Sequence, residues 1–355
     1  MNRIYMKTGL VAVLVMALII SPACAQSGNT AAAGNISINI AGSTTVLPVA
    51  EACASAYIAN NPGSQIDVSG GGSSYGVKAV ANGTVDLGTA SRELKDSERA
   101  DYPYLMTHAI ARDGVAIVVN PSNSIAGLTI AQLQDIYTGT ITNWEDVGGT
   151  DSTIVVVSRE DGSGTRDCFE QAVLKPIGGE ITGNAIISDS NSAMQIEVVS
   201  NGNAIGYLSL GYVNSDVKAV SLDGIEPTIE NVQSGDYAIS RTLLMITNGA
   251  PDDDEQAFLD FVLSDDGQQI VEDENFIPVL PKNGNIDGVS DINMDDVIYL
   301  AKYYYGTDLF PDYGTIYADG DINCDGDINM DDAIYLAKYY YGTDLFPYYG
   351  TLYPC

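Results

Sequence analysis

Ser158-Arg159-Glu160-Asp161-Gly162-Ser163-Gly164-Thr165-Arg166 follows a β-branched run, Thr153–Ser158, and opens a helical pattern, Thr165–Leu174. Two other segments share this design. Ala41-Gly42-Ser43-Thr44-Thr45-Val46-Leu47-Pro48 follows the strand pattern Ile36–Ile40, and Gly70-Gly71-Gly72-Ser73-Ser74-Tyr75-Gly76-Val77-Lys78 follows Gln65–Val68. Glycine lets the backbone approach a ligand closely, and Ser or Thr adds a hydroxyl donor. The start of each helix supplies free N–H groups and a partial positive charge. One such cluster is an ordinary N-cap. Three in one chain, one of them carrying two arginines, point to a dehydrated tetrahedral anion.

Around these clusters, short β-branched runs alternate with helical patterns from Ile36 to Pro281. Further strand patterns fall at Gly114–Asn120 and Ala204–Leu208, and helical ones at Val46–Ala59, Tyr75–Ala81, Ile130–Tyr137 and Asp253–Leu263. This alternation predicts an α/β fold with mainly parallel sheets. The region is long for one sheet and suits two lobes with a cleft between them.

Charge excludes several functions. The 355 residues carry 15 Lys+Arg against 47 Asp+Glu, a formal net charge of −32. Nucleic acid and anionic membrane faces need positive surface, so neither is expected as a partner. With charged residues at only 17% and hydrophobic ones at 45%, the chain is nevertheless a folding one rather than an acidic tail. A single histidine, His108, leaves almost nothing from which to build a Ser-His-Asp triad or a multi-His metal centre. A phosphatase with Ser73 or Thr44 as nucleophile would lack a general base. The sequence therefore predicts no enzyme.

The N-terminus reads as an address. Arg3 and Lys7 precede an uncharged run, Gly9–Ile20, too short to span a bilayer comfortably. Ser21-Pro22-Ala23-Cys24-Ala25-Gln26 offers either a signal-peptidase site or a lipoprotein box with Cys24 as the lipid-bearing first residue. Export to the cell surface or periplasm is expected, with residues 1–24 as signal and 25–35 as a polar tether. Outside the cytoplasm Cys324 with Cys355 is a plausible disulfide, while Cys53 and Cys168 are left as thiols or partners by spacing alone.

Gly42-Ser-Thr-Thr-Val, the run from Gly72-Ser-Ser-Tyr-Gly-Val-Lys to Leu87-Gly-Thr-Ala-Ser-Arg92, Asp161-Gly-Ser-Gly-Thr-Arg, Asn203-Ala-Ile-Gly-Tyr207 and Ser240-Arg-Thr-Leu occur in order from Ile36 to Pro281. Together they resemble the high-affinity phosphate-binding proteins of ABC transporters. The resemblance implies a two-lobed periplasmic binding protein fold of type II. The first lobe is expected at about 36–115 and 241–281, the second at about 116–240. It further implies inorganic phosphate as ligand and an ABC permease in the membrane as partner. By motif, Thr44 and Thr45 would bind through N–H and hydroxyl, with Ser73 donating from the same lobe. Arg159, Ser163, Gly164 and Thr165 would donate from the other lobe, Asp161 orienting Arg159. Ser74, Ser91 and Arg92 complete the candidate contacts. Where some members carry an aspartate that accepts the proton of hydrogen phosphate, this chain has Arg92, either a second cationic contact or a surface residue. Asp161, Asp86, Glu93 and Glu160 are then the candidate proton acceptors, and sulfate remains the alternative ligand.

After Pro281 the character changes. Asp291–Pro311 recurs almost verbatim as Asp327–Pro347, an offset of 36 residues, and thirteen of the 22 tyrosines lie between Tyr299 and Tyr353. Asp321, Asn323, Asp325, the carbonyl of Asp327, Asn329 and Asp332 fall at positions 1, 3, 5, 7, 9 and 12 of an EF-type calcium loop, with the turn glycine, Gly326, at 6. A helical pattern follows. Sliding that loop back by the repeat places Asn285, Asp287, Asn293 and Asp296 at positions 1, 3, 9 and 12, while Val289 and Ser290 occupy positions 5 and 6. The first loop thus lacks a ligand and the second should hold calcium more tightly. A duplicated loop-helix unit resembles the type I dockerin modules. The resemblance implies a small all-α calcium module at 282–355 that docks onto a cohesin-like protein. Its tyrosines serve either as its small core or as a docking surface. An assembly or adhesion protein is the alternative function.

Overall fold

Strand β1 (Ser37–Gly42) opens with exposed and buried residues alternating, Ile38 and Ile40 inward, the period of two of a half-covered strand. The computed structural model describes residues 35–279 and four isolated positions beyond them, 297, 298, 301 and 333. Cys24, the calcium-loop residues Asn285, Asp287, Asn293, Asp296, Asp321, Asn323, Asp325, Asp327, Asn329 and Asp332, and the Cys324–Cys355 pair lie outside the described residues.

Helix α1 (Leu47–Asn60) follows, with a proline in its first turn where the missing N–H would have no intrahelical partner. Next come β2 (Gln65–Gly70), α2 (Ser73–Ala81), β3 (Leu87–Ala90) and α3 (Asp96–Asp101). Strand β1 pairs in parallel with β2 on one side and β3 on the other, so the β1 and β2 C-terminal ends deliver both glycine clusters to one rim of the sheet. Strand β4 (Leu105–Val119) is the long one. Beyond it run β5 (Gly127–Leu128), α4 (Ile130–Thr138), β6 (Val155–Arg159), α5 (Gly164–Phe169), β7 (Ile186–Ser188) and α6 (Asn191–Ser200). Then come β8 (Ala204–Ser209), β9 (Lys218–Ala219), β10 (Ser221–Leu222) and α7 (Ile229–Gln233). The chain returns through β11 (Ser240–Asn248), α8 (Asp253–Val262), α9 (Asp265–Asp273) and β12 (Ile277–Pro278).

The main sheet has the order β2-β1-β3-β11-β4-β8-β6-β7. The expected parallel pairings occur at each end, β1 with β2 and β3, β6 with β7 and β8. The middle differs from the sequence expectation. Strand β11 runs antiparallel to both β3 and β4, and β4 antiparallel to β8, so the sheet is mixed. The long β4 bridges the two parallel ends: residues up to Gly114 pair with β11, and Val115–Val119 pair with β8.

Two large cores flank this seam. One gathers Ile38, Val49, Tyr57, Leu87, Leu243 and Phe258, and the other gathers Ile117 of β4 with Tyr137, Trp144, Phe169 and Tyr207. They define two lobes joined by β4 and β11. Trp144 and Tyr137, each no more than 1% exposed, anchor the second. At roughly 25 cal/mol per Å² of apolar surface, such side chains are each worth a few kcal/mol. Cys53 and Cys168 are free thiols, pushed up to about 12 and about 11, in each case chiefly by burial.

Candidate anion-binding site

The three clusters converge at the seam between the lobes. In the first, the Ser43 backbone N–H donates to Thr89 O (3.0 Å), which pins the turn after β1, and Ser43 Oγ accepts the Thr45 N–H (3.2 Å). Thr45 is 1% exposed, and its Oγ1 accepts from Asn191 Nδ2 (2.9 Å) and Arg241 Nη2 (3.1 Å). It also lies 3.1 Å from Thr165 Oγ1 of the other lobe. In the second cluster, Ser73 opens α2 wholly buried, and its Oγ accepts the Ser91 N–H at 3.0 Å. In the third, Ser163 caps α5 by accepting the Arg166 N–H, and the N–H groups of Gly164 and Thr165 begin the helix without intrahelical acceptors.

Arg159 ends β6 only 1% exposed. Its backbone N–H donates to the Tyr207 hydroxyl (3.1 Å), which lies 2.8 Å from Ser158 Oγ. The Tyr207 ring stacks on Phe169 at 4.3 Å, so this hydroxyl is held from the core side. Burial, more than any other influence, pushes it up to about 12, which keeps its proton in place. Arg159 Nε and Nη2 donate to the two oxygens of Glu160 (2.8 and 2.9 Å), and Nη2 also reaches Thr44 Oγ1 across the cleft (3.3 Å). Its Nη1 has no hydrogen-bond partner among the described residues.

The predicted residues divide into two groups. Thr44, Thr45, Ser73, Ser91, Arg159, Ser163, Gly164 and Thr165 come together at the seam. Asp161 does not orient Arg159: it is 95% exposed and pairs with Arg166 Nη1 at 2.8 Å. Glu160 takes the orienting role, while the Asp161 side chain lies exposed to solvent.

Arg92 is likewise not a free cation for the anion. Nη1 and Nη2 donate to Glu98 (2.7 and 2.8 Å), Nη2 also to Ser74 Oγ (2.9 Å) and Nη1 to Glu93 O (2.8 Å). Its Nε lies 2.8 Å from Asp167 Oδ2, close enough for an ion pair though not aligned as a hydrogen bond. Arg92 thus ties the lobes together, as does Ser74, whose N–H donates to Gly162 O (3.1 Å). Glu98 is held below the usual carboxylate range: burial, the largest influence, raises it, and Arg92 with the Lys95 N–H outweighs that.

Sequence reasoning assigned no role to Asp113, Arg241, Asn191 or Tyr212, whose hydroxyl donates to Thr44 O at 2.7 Å. The signal for Asp113 was a lone carboxylate inside the largely apolar run Ile110–Val119. Arg241 stood within a quoted motif. Arg159 and Arg241 are matched by the carboxylates Glu160 and Asp113, and Arg92 by Glu98, so a bound anion would be held mainly by N–H and O–H dipoles.

Hydroxyls and helix N-termini from two lobes around a buried guanidinium define a two-lobed solute-binding protein. Residues 25–266 match the family described as the PBP superfamily domain. The chain is 33% identical over 287 residues to the phosphate-binding protein PstS of Bacillus subtilis, covering 77% of this chain and 95% of that one. The fold is similar to a phosphate ABC transporter substrate-binding protein of Clostridium perfringens with bound phosphate, at TM-score 0.65, 43% identity, and coverage of 68% and 99%. It is also similar to an ABC-type phosphate transport receptor of Vibrio cholerae, at TM-score 0.57, 34% identity, and coverage of 68% and 99%. The chain belongs to the PBP superfamily, among the PstS-like substrate-binding proteins, which are solute receptors and not enzymes.

Proposed function

We propose that this protein is an extracytoplasmic receptor that captures inorganic phosphate between its lobes and delivers it to an ABC permease. The observation that carries the reading is Arg159, buried where hydroxyls of both lobes meet, with Nη1 unpartnered among the described residues. A buried N–H of a charged group left without an acceptor costs more than an ordinary hydrogen bond is worth, and an anion oxygen relieves that cost. The names of the relatives, and the phosphate in the Clostridium structure, favour phosphate among the tetrahedral anions. Isothermal titration of the full chain with phosphate, arsenate and sulfate tests this. Phosphate and arsenate are expected to bind one to one, with sulfate at least about tenfold weaker, a difference of ~1.4 kcal/mol. Equal sulfate affinity would move the reading to a general tetrahedral-oxyanion receptor, and no binding of any of the three overturns it.

Two further parts rest on sequence pattern. For residues 282–355 we propose calcium binding at Asp321, Asn323, Asp325, Asp327, Asn329 and Asp332, more weakly at Asn285, Asp287, Asn293 and Asp296, and calcium-dependent docking onto a cohesin-like protein. Calcium titration of the full chain should show a tight site that Asp325→Ala removes. If the variant binds calcium as the parent does, the loop assignment fails. Lipid attachment at Cys24 predicts that Cys24→Ser releases the protein into the medium.

A further inference from the structure

Asp113 and Arg241 face one another as cross-strand partners on β4 and β11, the two strands that join the lobes. The pair is buried, its side chains 0% and 3% exposed. Asp113 Oδ2 accepts from Arg241 Nε (2.9 Å) and Nη2 (2.7 Å), while Oδ1 accepts from Ser209 Oγ (2.9 Å) and the Leu210 N–H (3.1 Å). Four donors face this carboxyl, the environment of an ionised group. Burial, the largest influence, nevertheless raises it above the usual carboxylate range, with Arg241 chiefly opposing that rise.

The remaining N–H groups of Arg241 are aimed at the anion site. Nη2 donates to Thr45 Oγ1 (3.1 Å), and Nη1 to Ser91 Oγ (3.3 Å) and Ser91 O (3.4 Å). A hydroxyl has one proton and two acceptor positions. Those of Thr45 are filled by Arg241 and by Asn191 Nδ2 (2.9 Å), so its proton can only be donated outward, and Thr165 Oγ1 is 3.1 Å away. Ser91 Oγ accepts from Arg241 Nη1 and lies 3.3 Å from Ser73 Oγ, which accepts the Ser91 N–H at 3.0 Å. The guanidinium, which cannot deprotonate, and Asn191 Nδ2 thus set the direction of the Thr45 hydroxyl and, through it, that of Thr165.

We propose that Asp113 and Arg241 are a positioning pair for the anion site: Asp113 fixes the Arg241 fork, the fork holds Thr45 and Ser91 in place and, with Asn191, it fixes Thr45, and through it Thr165, as hydrogen-bond donors. The pair need not touch the ligand. The inference rests on the anion-binding reading of the seam and adds what sets the polarity of its hydroxyls.

The test is titration of the full chain with inorganic phosphate in two backgrounds. The exchange Asp113→Asn with Arg241→Gln removes both charges together, so neither is left buried and alone. In the parent, the exchange should weaken phosphate by about tenfold or more. With Thr45→Val and Ser91→Ala already in place, the same exchange should add less than about twofold, because the hydroxyls it acts through are gone. If the exchange prevents folding, Arg241→Lys replaces it. That variant keeps the charge but cannot fork to both hydroxyls, and the same non-additivity is expected. A loss below twofold in the parent, or equal losses in both backgrounds, overturns the positioning role while phosphate binding by the parent stands. A parent that binds no phosphate overturns the underlying reading instead.

Discussion

At Gly164 the absence of a side chain decides whether the lobes can meet. A Cβ there would lie 2.4 Å from Ser73 Oγ and 2.5 Å from Ser91 Oγ, both held in the seam network, and 3.1 Å from the Ser91 carbonyl carbon. Gly164→Ala should therefore leave each lobe folded, with an unfolding midpoint within about 4 °C of the parent, yet weaken phosphate at least about tenfold. Calorimetry of both properties checks it, and undiminished affinity would mean that the seam is looser than these distances. Glu160 and Asp161 give a paired prediction. Glu160→Gln removes the charge that holds Arg159 Nε and Nη2 and should cost about three- to thirtyfold in phosphate affinity, equivalent to ~0.7–2 kcal/mol. Asp161→Asn, exposed and paired among the described residues only with Arg166, should change it by less than about twofold. The reverse ranking, measured by titration, would restore the sequence assignment. Gly164 was legible because its motif fixes a helix start. The choice between adjacent carboxylates was not, since it depends on which of the two side chains the folded loop after β6 brings to Arg159.

Among the elements, those whose pattern is local were legible. The helical pattern Ile130–Tyr137 corresponds to α4, and Ala204–Leu208 to β8. The first half of β4 and all of β11 show no clear strand pattern in the sequence. Their partners lie far apart in sequence, as Arg241 with Asp113, and the register shifts between Leu243 and Leu244, which breaks the alternation a strand pattern needs. This seam holds His108, 3.0 Å from Thr247 Oγ1 and shifted below the ordinary imidazole range by burial. A depressed folded-state pKa means that the unfolded chain binds the proton more readily. The neutral ring's contribution is therefore present above the ordinary value of about 6.5 and is lost as pH falls through the lower folded one. The single imidazole should titrate below 6.5 by NMR, and His108→Gln should flatten the fall in stability between about pH 6.5 and the folded-state midpoint. An imidazole titrating above 6.5 reverses the sign and sinks the prediction. Tyr207 tests the neighbouring lobe. Its hydroxyl is the partner of the Arg159 N–H and of Ser158 Oγ, so Tyr207→Phe should cost about 1–3 kcal/mol in denaturant unfolding by stranding buried polar groups. A loss under ~0.5 kcal/mol would show that both find other partners.

Across the whole molecule, the charge of −32 and a bound anion are compatible because the site is a short-range one. Surface carboxylates beyond about 8–10 Å are screened at physiological salt, whereas donors in a dry seam act at contact. The same screening bears on what holds the lobes together. Asp167 on α5 faces two first-lobe cations, Lys95 Nζ and Arg92 Nε, each at 2.8 Å. It is 22% exposed, and Lys95 42%, so this tie sits at the wet edge of the seam. Asp167→Asn should act on closure alone. Arg92 keeps its two-pronged pair with Glu98, so no buried charge is orphaned and the open form loses nothing. An exposed-to-intermediate tie of this kind is worth on the order of 0.5–1 kcal/mol. If binding requires the closed form, apparent affinity scales with its population, and that energy becomes about a two- to fivefold loss. The loss should shrink as salt rises from 0.05 to about 0.5 M, because the parent's tie is then screened as well. Phosphate titration of parent and variant across that range separates the possibilities. A fold-loss constant with salt would mean that Asp167 acts through packing rather than charge. No loss at low salt would mean that closure is set by the buried hydroxyls and the Arg159–Thr44 contact across the cleft.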